Sequence, residues 1–175
     1  MNTLSRSALL GAGSAIALVG VPLMTTFVEA AQKADADDIA ALNAAIELER
    51  AAIKAYTDGA PLLKPATLVV AKGFLADHTA HRDALMAAVR AAGAVPTEKT
   101  ASITYPTLAT EIDVLRFAEA LERKAAATYL SVVPEFKDRR LAEAAAKILG
   151  VETTHVAILT QALGEPRPYA SGFVG

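Results

Sequence analysis

The three histidines of the chain, His78, His81 and His155, lie in two short segments that share the same internal spacing. His81 follows His78 by three residues, and His155 follows Glu152 by three residues. Residues three apart lie on one face of an α-helix, so each segment directs two side chains the same way. Imidazole nitrogens and carboxylate oxygens are both ligands of first-row metal ions. Each segment therefore predicts part of a metal site on a helix face.

Two glutamates and two tyrosines repeat with a second common spacing. Glu49 precedes Tyr56 by seven residues, and Glu122 precedes Tyr129 by seven residues. Each Glu–Tyr pair precedes one of the two histidine segments. The second half of the chain therefore repeats the order of the first half, as a duplicated half would. We expect the tyrosines to be core residues that hydrogen-bond to the acids and orient them, rather than redox centres.

Four long segments with amphipathic helical periodicity contain these residues. They extend over about residues 36–57, 65–92, 110–133 and 138–163, and capping or helix-stopping residues mark their ends. The polar candidates interrupt the apolar stripe near the middle of each helix. Burying several acids and histidines at one level is costly unless a cation lies among them, and a divalent metal supplies that charge. The predicted metal ligands are Glu49, His78, His81, Glu122, Glu152 and His155, with Glu119 as a further candidate.

The lengths of the links predict the topology. The first and third links have about five to seven residues, which makes the helices that they join antiparallel neighbours. The link over about residues 93–109 is long enough to run the length of the bundle before the third helix begins. We therefore expect an all-α fold, an antiparallel four-helix bundle with a long crossover between helices 2 and 3.

Composition excludes several classes of site. The 175 residues contain no cysteine, so disulfides, zinc–thiolate sites and iron–sulfur clusters are excluded. The net charge of −2 does not favour a nucleic acid as partner. The length is sufficient for one domain with a sizeable core.

The first 30 residues have the features of a secretory signal. No charged residue occurs from Ala8 to Val28, and small residues flank Glu29, as before a cleavage site. We expect residues 1–30 to be cleaved, residues 31–164 to form the bundle and residues 165–175 to be a tail. Cleavage would leave the protein periplasmic or extracellular, after general secretory or twin-arginine export. An uncleaved membrane anchor is the alternative, because the segment is long enough to span a bilayer.

This ordered set of helices and ligands resembles the ferritin-like superfamily, with the ferritin and rubrerythrin type of di-iron carboxylate bundle as the model. The resemblance covers about residues 36–164. It implies a dinuclear iron or manganese site, with oxygen or peroxide chemistry or iron storage. The residues that match the family pattern are Glu49 with Tyr56, His81, Glu122 with Tyr129, and Glu152 with His155.

His78 departs from that family, which has at this position a glutamate that usually bridges the two metals. A neutral imidazole normally binds one metal through one nitrogen, and three carboxylates leave two divalent ions with one positive charge over. Glu119, one turn before Glu122, is a candidate for the fourth carboxylate, as a ligand or as a partner of one. Asp77 is a weaker candidate, because it lies about 100° around the helix from His78. The additional nitrogen shifts preference from manganese toward iron, zinc or copper, and leaves a single ion or two unequal sites open.

The sequence thus favours an exported metal-binding protein with two iron ions that act on oxygen or peroxide. A non-enzymatic bundle is the alternative, one that sequesters metal or has a structural or interaction role. Its alanine-rich outer faces would permit packing against a partner helix or a second copy. Cage-type iron storage is a weaker third reading.

Overall fold

The computed structural model describes residues 35–165, so the predicted signal segment and nearly all of the predicted tail lie outside the described residues. The described part contains four α-helices and no strand, which confirms the all-α bundle. Each predicted helix end lies within two residues of the observed one. The helices are α1 (Ala36–Gly59), α2 (Pro65–Ala91), α3 (Glu111–Val132) and α4 (Arg139–Ala162), with 3₁₀ turns at Ala60–Leu62 and Val133–Glu135.

Side-chain caps begin three of the helices. Asp35 accepts a hydrogen bond from the backbone N–H of Asp37 at the start of α1, and Asp138 caps α4 in the same way. Thr110 and Asp113 form a reciprocal capping box at the start of α3. These caps satisfy backbone N–H groups that have no partner within the helix, and they fix where each helix begins.

Glycines end α2 and α4. Gly93 and Gly164 both have a φ of +77°, a left-handed conformation that a side chain disfavours. After α2, the N–H of Ala94 donates to the carbonyl of Val89 at 3.1 Å, as in a Schellman cap. Both helices therefore stop where the sequence predicts.

The direction of the helices follows from contacts across the bundle. The hydroxyl of Tyr56 in α1 donates to Glu122 in α3, and that of Tyr129 in α3 donates to Glu49 in α1. The earlier residue of α1, Glu49, meets the later residue of α3, Tyr129, and the later residue of α1 meets the earlier residue of α3. Helices α1 and α3 are therefore antiparallel. The short link makes α1 antiparallel to α2 as well, and α2 is therefore parallel to α3. A connection between parallel helices must return along the bundle.

The connection between α2 and α3 returns along α1. Its contacts with α1 advance along both segments together, so the link runs in the same direction as α1. In chain order, Thr97 N–H donates to Asn43 Oδ1 at 2.8 Å, Ala101 N–H donates to Glu47 O at 3.0 Å, and Lys54 Nζ lies 5.4 Å from the centroid of the Tyr105 ring. This is the long crossover predicted from the link length.

Buried Asp38 joins the start of α4 to α1. Its two carboxylate oxygens accept hydrogen bonds from the backbone N–H groups of Lys137 and Asp138, each at 2.9 Å. The contact closes one end of the bundle and fixes α4 in register against α1.

The apolar core is divided into two clusters. The larger one, here the Ile46 cluster, lies toward the N-terminal end of α1 and the C-terminal end of α2. The smaller one, the Phe74 cluster, lies toward the opposite end. The Ile46 cluster is built around Leu42, Ile46, Leu85, Val89, Tyr129 and Ile148, and the Phe74 cluster consists of Tyr56, Ala71, Phe74, Leu115, Ala118 and Leu159. None of the described helices has the length and apolar composition needed to cross a membrane.

Candidate metal centre

All six predicted ligands meet inside the bundle, between the two apolar clusters. Each of the four helices supplies at least one of them, and no residue of the set is more than 4 % exposed. The set comprises Glu49 from α1, His78 and His81 from α2, Glu122 from α3, and Glu152 and His155 from α4. The sequence prediction that these side chains converge is therefore matched by the geometry.

One side of the centre, the His81 half, consists of Glu49, His81 and Tyr129. His81 Nδ1 lies 3.0 Å from Glu152 Oε1 and 3.7 Å from Glu49 Oε1. The Tyr129 hydroxyl donates to Glu49 Oε1 at 2.5 Å and holds that carboxylate in place. This half borders the Ile46 cluster, to which Tyr129 itself belongs.

The other side, the His155 half, consists of Glu122, His155 and Tyr56. His155 Nδ1 lies 3.5 Å from Glu122 Oε2 and 3.4 Å from Glu152 Oε2. The Tyr56 hydroxyl donates to Glu122 Oε1. The two halves thus repeat one arrangement, in which a tyrosine from the facing helix orients the terminal glutamate.

His78 and Glu152 belong to both halves. His78 Nδ1 lies 2.8 Å from Glu49 Oε2, whereas its Nε2 lies 3.1 Å from Glu122 Oε1. Glu152 has one oxygen near His81 and the other near His155. The result is two overlapping sets whose ligand atoms lie within 4.8 Å of one another: Glu49, His78, His81 and Glu152, and His78, Glu122, Glu152 and His155.

Several ligand atoms have no hydrogen-bond partner although they are buried. An unsatisfied buried polar atom costs about 1–3 kcal/mol, and such atoms are rare in native proteins. These atoms point into the space between the helices, where a cation would satisfy all of them. They are Nδ1 of His81, Nδ1 of His155, Oε2 of Glu122 and both carboxylate oxygens of Glu152. This donor set therefore fits a metal centre better than a network held by hydrogen bonds alone.

The ferritin-like domain family model matches residues 37–165, which is most of the chain. The chain belongs to the ferritin-like domain family.

Solved structures agree with this assignment. A conserved hypothetical protein, rv2844, from Mycobacterium tuberculosis is 23 % identical, with a TM-score of 0.68 over 77 % of this chain and 96 % of that one. A dodecameric thioferritin from Bacteroides fragilis is 23 % identical, with a TM-score of 0.64 over 76 % and 88 % of the two chains. A ferritin-like, diiron-carboxylate protein from Bacillus anthracis is 19 % identical, with a TM-score of 0.63 over 73 % and 95 %. At such identities the likeness shows the ferritin-like fold. No curated protein sequence matches the chain.

The buried acids and histidines of the centre shift one another's pKa values. Burial disfavours the charged form of His78, but hydrogen bonds to Glu122 and Glu49 outweigh burial and raise the pKa of His78 well above its usual value. Burial would raise the pKa of Glu122, yet the nearby imidazole of His155 and the hydrogen bond with His78 hold that pKa well below its usual value. For Glu152, burial prevails and its pKa is raised. Metal binding to these groups must therefore displace protons.

Asp77, a weak ligand candidate in the sequence, belongs to neither ligand set and instead contacts one of the histidines. Its Oδ2 lies 3.1 Å from Nε2 of His155, which is on α4 and not on its own helix. Burial opposes a charge on His155, but the hydrogen bond to Asp77 and the nearby carboxylates of Glu122 and Glu152 raise the pKa of His155 to about 10. A proton on Nε2 that faces Asp77 leaves Nδ1 free to bind a metal, as in carboxylate–histidine–metal arrangements.

Glu119 lies elsewhere. It forms an ion pair with Arg123, one turn further along α3, and belongs to neither of the two ligand sets. The i, i+3 spacing to Glu122 brings the two residues to neighbouring positions, but Glu119 turns toward the flank of α3. The expectation of a fourth carboxylate from this residue finds no support in the structure.

Two cavities lie near the centre, and one of them reaches it. An apolar cavity of about 250 Å³ adjoins the His155 half, lined by Tyr56, Phe74 and Leu159 among others. The Phe74 ring, which lines this cavity, stacks on the His155 ring with centroids 3.9 Å apart. A smaller cavity of about 40 Å³ under the crossover reaches His78 and Glu122. Neither cavity is lined by His81 or Glu49.

Proposed function

We propose that the protein binds two divalent metal ions in the two overlapping ligand sets, with iron as the expected metal, and uses them in redox chemistry on oxygen or peroxide. The observation that carries this proposal is the group of five buried ligand atoms without hydrogen-bond partners, which face one another across the bundle. The ferritin-like family and the diiron-carboxylate neighbour support iron as the metal.

Five of the six candidate ligands fall into groups that could hold two ions. Glu49 and His81 would hold one ion, and Glu122 and His155 the other. Glu152 lies between them and offers one oxygen to each side. Bound iron would supply electrons to reduce oxygen or peroxide.

The surroundings of the ligands bury the centre and orient its carboxylates. The tyrosine hydroxyls that donate to Glu49 and Glu122 fix the direction of both carboxylates. Burial and the neighbouring carboxylate raise the pKa of Tyr56 and of Tyr129 well above the usual value, so both stay hydrogen-bond donors at neutral pH. The side chain of Asp77 is 49 % exposed and therefore connects Nε2 of buried His155 with solvent.

Iron loading tests this function. Protein reconstituted anaerobically with ferrous iron should retain about two ions per chain and, on exposure to air, oxidise iron faster than the buffer does. The variant E152Q should lose both properties. Its matched control is E143Q, which changes an exposed glutamate of the same helix that pairs with Lys147. An absence of bound metal would contradict the proposal, whereas bound iron without oxidation would favour sequestration.

Export is a second part of the proposal. It rests on the uncharged run from Ala8 to Val28 and the small residues that flank Glu29. Mass spectrometry of the protein from its native host should find an N-terminus near residue 31. An intact N-terminus would contradict cleavage.

We also propose that copies of this protein associate with one another. The thioferritin neighbour from Bacteroides fragilis is dodecameric, and Val69 and Val70 of α2 present apolar side chains to solvent here. We expect light scattering on purified protein to give a mass above that of one chain. The mass of a single chain at all concentrations would exclude a stable oligomer.

A further inference from the structure

The ring of His78 is placed differently from the other two imidazoles. Its Nδ1 lies 2.8 Å from Glu49 of the His81 half, and its Nε2 lies 3.1 Å from Glu122 of the His155 half. The two nitrogens of one ring therefore each face a different ligand set. By contrast, His155 directs one nitrogen into the centre and the other to Asp77.

Packing holds the His78 ring in this orientation. The side chain is 1 % exposed, and three rings surround it. The centroid distances are 5.4 Å to Tyr56, 5.5 Å to His155 and 6.2 Å to His81. A ring enclosed in this way has little room to tilt out of the plane that directs its two nitrogens to Glu49 and Glu122.

The charge of the centre gives a second, independent reason. Glu49, Glu122 and Glu152 carry three negative charges, and two divalent ions carry four positive charges. An imidazole that binds a metal through both nitrogens has lost both ring protons and carries one negative charge. That charge would balance a site that is buried, where an uncompensated charge is costly.

We propose that His78 bridges the two metal ions as an imidazolate, with Nδ1 bound to the ion of the His81 half and Nε2 to the ion of the His155 half. On loading, the ring releases its N–H protons to solvent, and no electron is transferred. Each ion then receives two nitrogen and two carboxylate ligands, a set that suits iron, zinc or copper better than manganese. This inference rests on the proposed two-metal function. The His78 imidazolate takes the place of the family's bridging carboxylate, because it has the same negative charge and also reaches both ions.

Cadmium-113 NMR tests this bridge without any assay of activity. The protein is labelled with ¹⁵N in its histidines, of which the chain has three, and loaded with ¹¹³Cd²⁺. We expect two cadmium signals. One imidazole should show coupling of both ring nitrogens, each to a different cadmium, and the other two imidazoles should show coupling at a single nitrogen.

Two variants assign the signals. H78Q should remove the doubly coupled ring and leave the two singly coupled ones. H78E restores a carboxylate and should bind two cadmium ions with no doubly coupled ring. In the unsubstituted protein, two bound ions with a His78 ring coupled at one nitrogen, or at none, would overturn the bridge and leave the two-metal function intact. Fewer than two bound ions would overturn both.

Discussion

The two halves of the candidate metal centre have the same types of candidate ligand and different surroundings. Each half has a terminal glutamate, a histidine and a tyrosine donated from the facing helix. The His81 half borders the larger Ile46 cluster, whereas the His155 half lies beside a cavity of about 250 Å³ and a carboxylate that is 49 % exposed. The repeated spacing accounts for the ligands, and the packing of each end of the bundle accounts for the difference. We therefore expect two ions that are bound by equivalent donors and differ in access and exchange.

The largest effect is expected where the two halves are joined. Glu152→Gln removes the one carboxylate that faces both His81 and His155, and an amide cannot supply the lost charge. Metal content should fall from about two ions per chain to none, as measured by elemental analysis after gel filtration. Retention of one ion would show that the halves bind metal independently of Glu152.

The next largest effect is the loss of one ion from one half of the centre. His81→Gln should remove the ion of its own half and leave that of the other, and His155→Gln should do the reverse. Each variant should therefore retain about one ion per chain. Titration with a metal chromophore checks this count. If either substitution emptied both sites, the division into halves would be wrong and a single coupled site would replace it.

Asp77→Asn affects one half only. Loss of an outer carboxylate that orients a metal-bound histidine typically weakens metal affinity by about 10–100-fold. We expect this loss at the ion bound by His155 and no change at the ion bound by His81. Competition with a chelator resolves two affinities in the unsubstituted protein and should show that only one of them moves. If the affinities for both ions fell equally, Asp77 would instead contribute to the stability of the whole fold.

The smallest effect concerns the apolar surroundings. Ala45→Leu adds atoms to the Ile46 cluster, where overpacking typically costs about 1–3 kcal/mol. Ala118→Leu adds the same atoms beside the cavity, where there is room, so the free energy of unfolding should change by less than about 1 kcal/mol. Urea denaturation of the metal-free variants compares them directly. Equal costs would mean that the cavity does not distinguish the two ends.

The helices and the six converging ligands could be predicted because both follow local rules. Caps such as Asp35 and Thr110 and the stop at Gly93 are readable from short segments. Spacing by three residues puts His78 and His81 on one face of α2, whatever packs against it. The order of elements along the chain then supplied the ferritin-like topology.

Features that depend on which neighbouring side chain pairs with a residue were not predicted from these local rules. Asp77 lies about 100° around α2 from His78 and so turns away from the direction that His78 takes, but α4 brings His155 to that flank. Glu119 has favourable spacing to Glu122, yet Arg123, four residues further along the same helix, pairs with it. In both cases the position of a neighbouring side chain decided the outcome.

The tyrosines and the His78 ring show the same dependence. Tyr56 lies about 10.5 Å along the helix from Glu49, so it cannot contact that acid and instead orients Glu122 on the antiparallel helix. Spacing predicts that His78 faces the centre, but it does not predict that both ring nitrogens do so. Ring orientation is set by the aromatic and imidazole neighbours from α1, α2 and α4.

Anomalous X-ray diffraction from crystals of the iron-loaded protein tests the central claim most directly. We expect two anomalous peaks on opposite sides of the His78 ring, one beside Glu49 and His81 and the other beside Glu122 and His155. No peak among these side chains, or iron bound only on the protein surface, would contradict the claim that six buried ligands of this bundle hold a two-metal centre.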